Sequence, residues 1–308
     1  MVRLGAIEVS RVLRTKKRMV AALCLFSAVL VSCSKQQEKS ADVSPQKAAD
    51  LMREGKFDQA LDVLNIQIKE HPKDAFAYAW RADANIRSSQ PDGKKAIADI
   101  TKAIELDSKN SRFYQTRAML SAQIGDMNDA VEDLGSMIKL LPRDAHAYEV
   151  RGAMLALRGD LASALADLNQ AIKLNPNYSS AYSDRSFVYG LTSDYKNAIA
   201  DANTAIELAK KQKLPLPLMA NAYGNRARAY MGLGKYSDAL NDANVVIKCF
   251  STSSRDYDMR AEIYDKLNKP DLAKADRAKA AELRANPKQD WIQKQTYADI
   301  KSRASKKK

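Results

Sequence analysis

The sequence predicts an all-α fold assembled from one repeated unit, a pair of antiparallel helices. Two observations predict it. The chain favours helix formers and is poor in breakers, with 11 Gly and 9 Pro among 308 residues. More decisively, one phrase returns at a fixed spacing. Ala145-His146-Ala147-Tyr148-Glu149-Val150-Arg151-Gly152 recurs 34 residues later as Ser179-Ser180-Ala181-Tyr182-Ser183-Asp184-Arg185-Ser186.

The tyrosine of that phrase marks the first helix of each unit. It stands at Tyr78, Tyr114, Tyr148, Tyr182, Tyr223 and Tyr257, at spacings of 36, 34, 34, 41 and 34 residues. A small residue follows on the second helix: Ala96, Ala130, Ala164, Ala198, Ala239 and Ala273. Seven residues further on stands Ala103, Met137, Ala171, Ala205, Val246 or Ala280. Pro72, Pro142 and Pro176 punctuate unit ends. Before the first tyrosine lies a degenerate unit, in which Ser44-Pro45 reads as an N-cap with Pro in the first turn. Phe57 and Ala60 occupy the expected places in that unit.

This pattern resembles the tetratricopeptide repeat (TPR), with Tyr in place of the family's first Trp and Arg in place of its Leu. The resemblance spans residues 44–287 as seven repeats: 44–74, 75–110, 111–144, 145–178, 179–219, 220–253 and 254–287. It implies a TPR solenoid, a right-handed superhelix with a concave groove. The physics accounts for the restricted positions. One helix pair cannot cover its own apolar faces, so each unit must lean on its neighbours. The small residues lie where two helices approach closely. The tyrosines, with Tyr189, Tyr230 and Tyr264 one helical face further along, fill the space between units.

A second pattern follows the same period. Arg81, Arg117, Arg151, Arg185, Arg226 and Arg260 lie three residues after each tyrosine. Asp99, Asp133, Asp167, Asp201, Asp242 and Asp276 lie three residues after each small residue. Their joint recurrence predicts a structural Arg–Asp ladder between helices, because six part-buried unpaired arginines would be costly to fold. The alternative is a row of arginines gripping an acidic ligand. Between the fifth and sixth repeats, Lys210-Lys211-Gln212-Lys213-Leu214-Pro215-Leu216-Pro217 inserts seven residues. It reads as a tolerated loop within 209–219, with a joint between two arms as the sharper reading.

The formal charge of +13 is concentrated at the two ends. Residues 1–33 carry Arg3, Arg11, Arg14, Lys16, Lys17 and Arg18 against Glu8, a net of +5. Residues 288–308 carry another +5, so +13 less these two ends leaves +3 on residues 34–287. A phosphate-binding groove needs its charge on the folded body, so the reading is no nucleic-acid partner. Residues 288–308 read as a capping helix, with Trp291 and Ile292 covering the last repeat, followed by a solvated basic tail ending Lys306-Lys307-Lys308.

At the N-terminus, Arg14-Thr15-Lys16-Lys17-Arg18 precedes an apolar run of 13 residues, Met19 to Val31. As a helix it would span roughly 20 Å, short of a bilayer's ~30 Å core, and it fits a secretory signal peptide over residues 1–32. Leu30-Val31-Ser32-Cys33 closes that run and resembles the lipobox of bacterial lipoproteins. The resemblance implies acylation (palmitate among the chains) of Cys33, a flexible tether over 33–43, and attachment to a membrane through the lipid anchor. Ser34 in the following position implies the outer membrane, facing the periplasm.

Catalysis needs convergent acids, bases or metal ligands, and the sequence offers none. His71 and His146 lie two repeats apart, and neither a zinc spacing nor a glycine-rich phosphate loop is present. Gly152, Gly159, Gly232 and Gly234 fall at packing or turn positions of the repeat. Cys249 takes a core position on a second helix. The expectation is a non-enzyme without cofactor or metal.

Function then falls to the groove. The ligand-facing positions implied by the resemblance are Phe76, Ala79, Asp83, Ile86 and Arg87, then Arg112, Gln115, Met119 and Gln123. They continue with His146, Glu149, Ala153 and Leu157, then Ser183, Phe187 and Leu191. Asn221, Arg228 and Met231, then Arg255, Asp258, Glu262 and Lys266 complete them. The family's Lys/Asn clamp for terminal carboxylates is missing from this set. A mixed, part-apolar groove suits an extended or helical peptide. The sequence therefore predicts a lipid-anchored envelope scaffold that binds other proteins, with a non-catalytic accessory subunit of an envelope enzyme or polymer assembly and export machine as the alternative.

Overall fold

A computed structural model describes residues 43–285, and every regular element among them is helical. Residues 43–143 and 144–285 form two compact units. The first holds α1 (Val43–Arg53), α2 (Phe57–Glu70), α3 (Ala75–Arg87), α4 (Gly93–Leu106), α5 (Ser111–Ile124) and α6 (Met127–Leu140). The second holds α7 (Ala145–Arg158), α8 (Leu161–Leu174), α9 (Ser179–Leu191), α10 (Tyr195–Lys211), α11 (Ala220–Gly232), α12 (Tyr236–Cys249), α13 (Ser254–Lys266) and α14 (Pro270–Ala285). A 3-10 turn, Leu216–Met219, links α10 to α11.

Helix boundaries follow from side-chain chemistry. Asp74, Asp92, Asn110 and Asp126 accept hydrogen bonds from first-turn N–H groups of α3, α4, α5 and α6. Asp144, Asp160 and Asp194 do the same for α7, α8 and α10. Each satisfies a donor that an opening helix leaves unpaired. Gly125 and Gly159 end α5 and α7 in the left-handed region, at φ 96° and 99°, where a side chain would be strained. Ser44, read from sequence as a cap, lies inside α1, which begins at Val43. Cys33, Trp291, Ile292 and Lys306-Lys307-Lys308 lie outside the described residues.

Within each pair the helices approach closely because the contact residues are small. Ala75, Ala79 and Ala82 of α3 meet Ala96, Ile100 and Ala103 of α4, and Phe113 of α5 closes this core. In the second unit, Ala227 of α11 packs with Ala239 and Ala243 of α12 and with Met259 and Ile263 of α13. Gly152 shows how tight the approach is. A Cβ there would come within 2.9 Å of Leu168 Cγ and 3.2 Å of the Ala164 carbonyl oxygen. The insertion after the fifth repeat lies inside the second unit. It extends α10 to 17 residues, then turns through Lys213 at φ 54°. Leu214 and Met219 pack against Ala205, Ala209, Ala222, Tyr223 and Val246, so the inserted segment is part of the core.

The arginines of the first helices meet the aspartates of their own second helices. Each grips its partner with two parallel bonds, from Nε to Oδ2 and from Nη2 to Oδ1. For Arg81–Asp99 these are 2.8 and 2.6 Å, and for Arg117–Asp133 2.8 and 2.7 Å. For Arg151–Asp167 they are 2.7 and 2.8 Å, and for Arg185–Asp201 2.6 and 2.8 Å. Arg226–Asp242 and Arg260–Asp276 repeat the geometry. In five of the six the remaining nitrogen, Nη1, reaches the second helix of the preceding repeat. It donates to Asn65 from Arg81, Thr101 from Arg117, Asn169 from Arg185, Asn203 from Arg226 and Asn244 from Arg260. Tyrosine rings stack on the later guanidiniums: Tyr223 and Tyr230 lie 5.3 and 5.9 Å from that of Arg226. The carboxylate bond holds each of these arginines above its ordinary pKa.

Two stability predictions follow from this packing. Asp242→Ala strands the Arg226 cation against a buried surface and is expected to cost roughly 1–3 kcal/mol in urea unfolding. Arg226→Met with Asp242→Leu removes both charges and is expected to cost less than Asp242→Ala alone. A double variant less stable than the single one would show that the ladder contributes more than mutual neutralisation. Gly152→Ala is expected to destabilise by about 1–3 kcal/mol through overpacking. Gly190→Ala, with nothing within 4 Å of the new methyl, should melt at an unchanged or higher temperature. Equal effects of the two alanines would sink the close-approach argument.

Candidate functional site

In a helix each residue turns about 100°, so positions on the first helices that avoid the partner helix line a second, inner face. In the first unit this face begins with Phe76, which is 40% exposed and meets Phe113 edge-on at 5.5 Å. Ala79 is buried, so it supports the wall. Asp83 and Arg87 pair with each other at 3.5 Å, and the Arg87 guanidinium lies 5.1 Å from the Phe57 ring. These two groups are thereby engaged within the scaffold. Ile86 beside them, and Arg112, Gln115, Met119 and Gln123 on α5, are half-buried.

The second unit opens with a polar network. His146 Nδ1 lies 3.1 Å from Glu149 Oε2 and 3.1 Å from the Tyr178 hydroxyl. Tyr178 in turn donates to the same Glu149 oxygen at 3.2 Å. Burial, then the Glu149 charge, pushes the Tyr178 phenol well above its ordinary value. Glu149 is only 6% exposed and Leu157 only 9%, so both belong to the wall beneath the face. Both depart from the sequence expectation: Tyr178 returns from the end of its repeat to cover the Glu149 carboxylate, and Leu157 joins the buried core. Ala153 is half-buried.

Beyond this network the face becomes apolar. Phe187 and Leu191 on α9 and Met231 on α11 are half-buried, and Asn221 is exposed at the start of α11. On α13, Arg255 and Asp258 are half-buried while Glu262 and Lys266 are exposed. Asn225 Nδ2 donates to the Ser183 carbonyl at 2.9 Å, joining α9 to α11. Asn225 was not singled out by spacing because its partner is a backbone oxygen, which leaves no trace in side-chain patterns. Cys249 is half-buried, and burial raises its thiol pKa. Among the described residues, no group of three or more His, Cys, Asp or Glu is placed to hold a metal ion. No helix among them is long and apolar enough to cross a membrane.

Comparison with known proteins places this geometry. Residues 116–179 match the family model described as tetratricopeptide repeat. A curated relative, the TPR repeat-containing thioredoxin TDX of Arabidopsis thaliana, is 31% identical over 94 residues, which is 30% of this chain and 23% of that protein. The chain thus spans under a quarter of the length of the curated relatives it matches. A tetratricopeptide repeat protein from Parabacteroides merdae superposes with a TM-score of 0.64 at 19% identity, covering 83% of this chain and 96% of that one. The APC/C hetero-tetramer Cut9-Hcn1 gives 0.65 at 19% identity over 86% of this chain and 49% of the other. Seven helix pairs among the described residues, the repeat match within 116–179 and these structural likenesses make the fold one of tetratricopeptide-repeat helix pairs.

Proposed function

We propose that this chain is a lipid-anchored scaffold of the bacterial cell envelope, and that it holds a partner protein on the inner face of its first helices. The observation that carries the binding part is the character of that face in the second unit. Phe187, Leu191 and Met231 keep part of their apolar surface in solvent, although the same helices bury Ala181, Val188, Ala227 and Ala229 completely. Part-exposed apolar side chains flanked by polar ones suit a peptide segment that brings its own apolar anchors. The anchoring part rests on the sequence ending in Cys33 at the close of an apolar leader. Three acyl chains on that cysteine, at ~0.8 kcal/mol per buried methylene, would make release negligible.

Each part has its own test. Partners crosslinked to the wild-type chain in envelope extracts should be lost from Phe187→Asp with Met231→Asp, while the helical circular dichroism of that variant stays unchanged. Identical partners on both chains would remove the inner face from the reading. For the anchor, the intact mass of protein extracted from membranes should equal residues 33–308 plus a diacylglyceryl and an acyl group. Cys33→Ala should abolish that mass. An unmodified full-length chain in the soluble fraction would dismiss the anchor and leave the inner-face reading in place.

A further inference from the structure

The insertion between α10 and α11 gives the second unit a surface that the repeat does not require. Both ends of the inserted segment are fixed. The Lys213 N–H donates to the Lys210 carbonyl and the Leu214 N–H to the Ala209 carbonyl, both at 2.9 Å, which closes α10 in a tight turn. Leu214 and Met219 then pack into the core. Lys210, Lys211, Lys213, Pro215 and Leu216 instead face solvent, and Leu216 is 36% exposed.

Two neighbouring turns lie alongside. Gln212 Nε2 donates to the Asn177 carbonyl at 2.7 Å, which joins the insertion to the turn after α8. Phe250, which follows α12, packs on the same cluster as Leu214. These turns bring exposed Lys173 at the end of α8 and exposed Lys248 at the end of α12. Five lysines therefore share one edge. Residues 173–178, 208–219 and 248–253 contain no Asp or Glu. The acids near this edge are Glu207, one turn back on α10, and Asp144, Glu149 and Asp184 around Tyr178. Of these, Glu149 is buried and Asp144 is taken up in capping α7. Among the described residues none of the five lysines is in an ion pair.

The helix dipole favours a cation at each helix end, but it does not ask for an unopposed row. The equivalent segments of the first unit mix their signs. Residues 69–74 set Lys69 and Lys73 against Glu70 and Asp74, and residues 105–110 set Lys109 against Glu105 and Asp107. A row of cations attracts an extended anionic surface, and Leu216 among them selects which kind. A soluble polyanion gains nothing from an exposed leucine. A bilayer takes an apolar side chain below its headgroups while the lysines stay at the phosphates.

We propose that this edge of the second unit docks on anionic phospholipid headgroups, with Lys173, Lys210, Lys211, Lys213 and Lys248 at the phosphates and Leu216 in the interface. The inference adds to the membrane attachment proposed above without resting on the acyl chain.

The test mixes the full-length chain carrying Cys33→Ala with vesicles of phosphatidylcholine, either alone or with about a third phosphatidylglycerol. Amide exchange is followed in residues 173–178 and 208–219, so that contacts made by either terminus do not count. Exchange there is expected to slow roughly threefold or more on the anionic vesicles and to stay unchanged on the neutral ones. Lys→Gln at all five edge positions should remove the slowing. Lys→Gln at Lys69, Lys73, Lys94, Lys109 and Lys139, exposed in the first unit, should keep it. If the edge variant melts below wild type, salt decides: slowing that vanishes between about 0.05 and about 0.5 M supports the edge, and slowing that survives refutes it. Leu216→Gln should at least halve the effect. An unchanged effect in that variant, or equal slowing by soluble polyglutamate, would assign the edge to an acidic polymer and overturn the lipid proposal. Slowing on both kinds of vesicle alike, or on neither, also overturns it, and leaves the acyl anchor to be judged by its own mass measurement.

Discussion

Register between helices depends here on one side chain per repeat. The faces that pack are largely alanine, and burial of such surface is favourable but has no direction. Smooth alanine faces would tolerate sliding. Arginine supplies the missing direction because its donors sit in a rigid planar fork. Two of them fix the angle within a helix pair through the aspartate. In five of the six repeats the third reaches back to Asn65, Thr101, Asn169, Asn203 or Asn244 within the same compact unit. Tyrosine rings lie over the guanidiniums of Arg81, Arg185, Arg226 and Arg260, which adds cation–π contact to the ion pair. A charge pair half removed from water gives little net stability on its own. Its larger effect is to make other registers costly, since any slip strands a cation.

That same regularity explains what the sequence reveals. A period of 34 residues with a matched Arg and Asp in six units encodes the helix pair and its internal ion pair without reference to any structure. The third partner carried a nearly as regular signal, since Asn65, Thr101, Asn169, Asn203 and Asn244 each lie five residues after Ala60, Ala96, Ala164, Ala198 and Ala239. It escaped because asparagine on a helix reads as a solvated face. The inner face was less legible for a physical reason. Its positions are set by the repeat, but their accessibility is set by what folds over them. Glu149 lies at a groove position and is nevertheless covered, because Tyr178 and His146 close on its carboxylate. Asp83 and Arg87 likewise neutralise each other. No repeat period announces such local closures, since each uses residues that only one repeat possesses.

Arg226 and Arg228 show how one residue type serves two ends within a single turn of helix. The first has a carboxylate supplied by its own repeat, which raises its pKa and makes it part of the scaffold. The second has a like charge for a neighbour, and burial acts against it. Asp256 opposes both effects in part. The groups placed opposite an arginine decide the sign of its shift: the Asp242 bond raises Arg226, while burial and the Arg255 cation lower Arg228 two residues away.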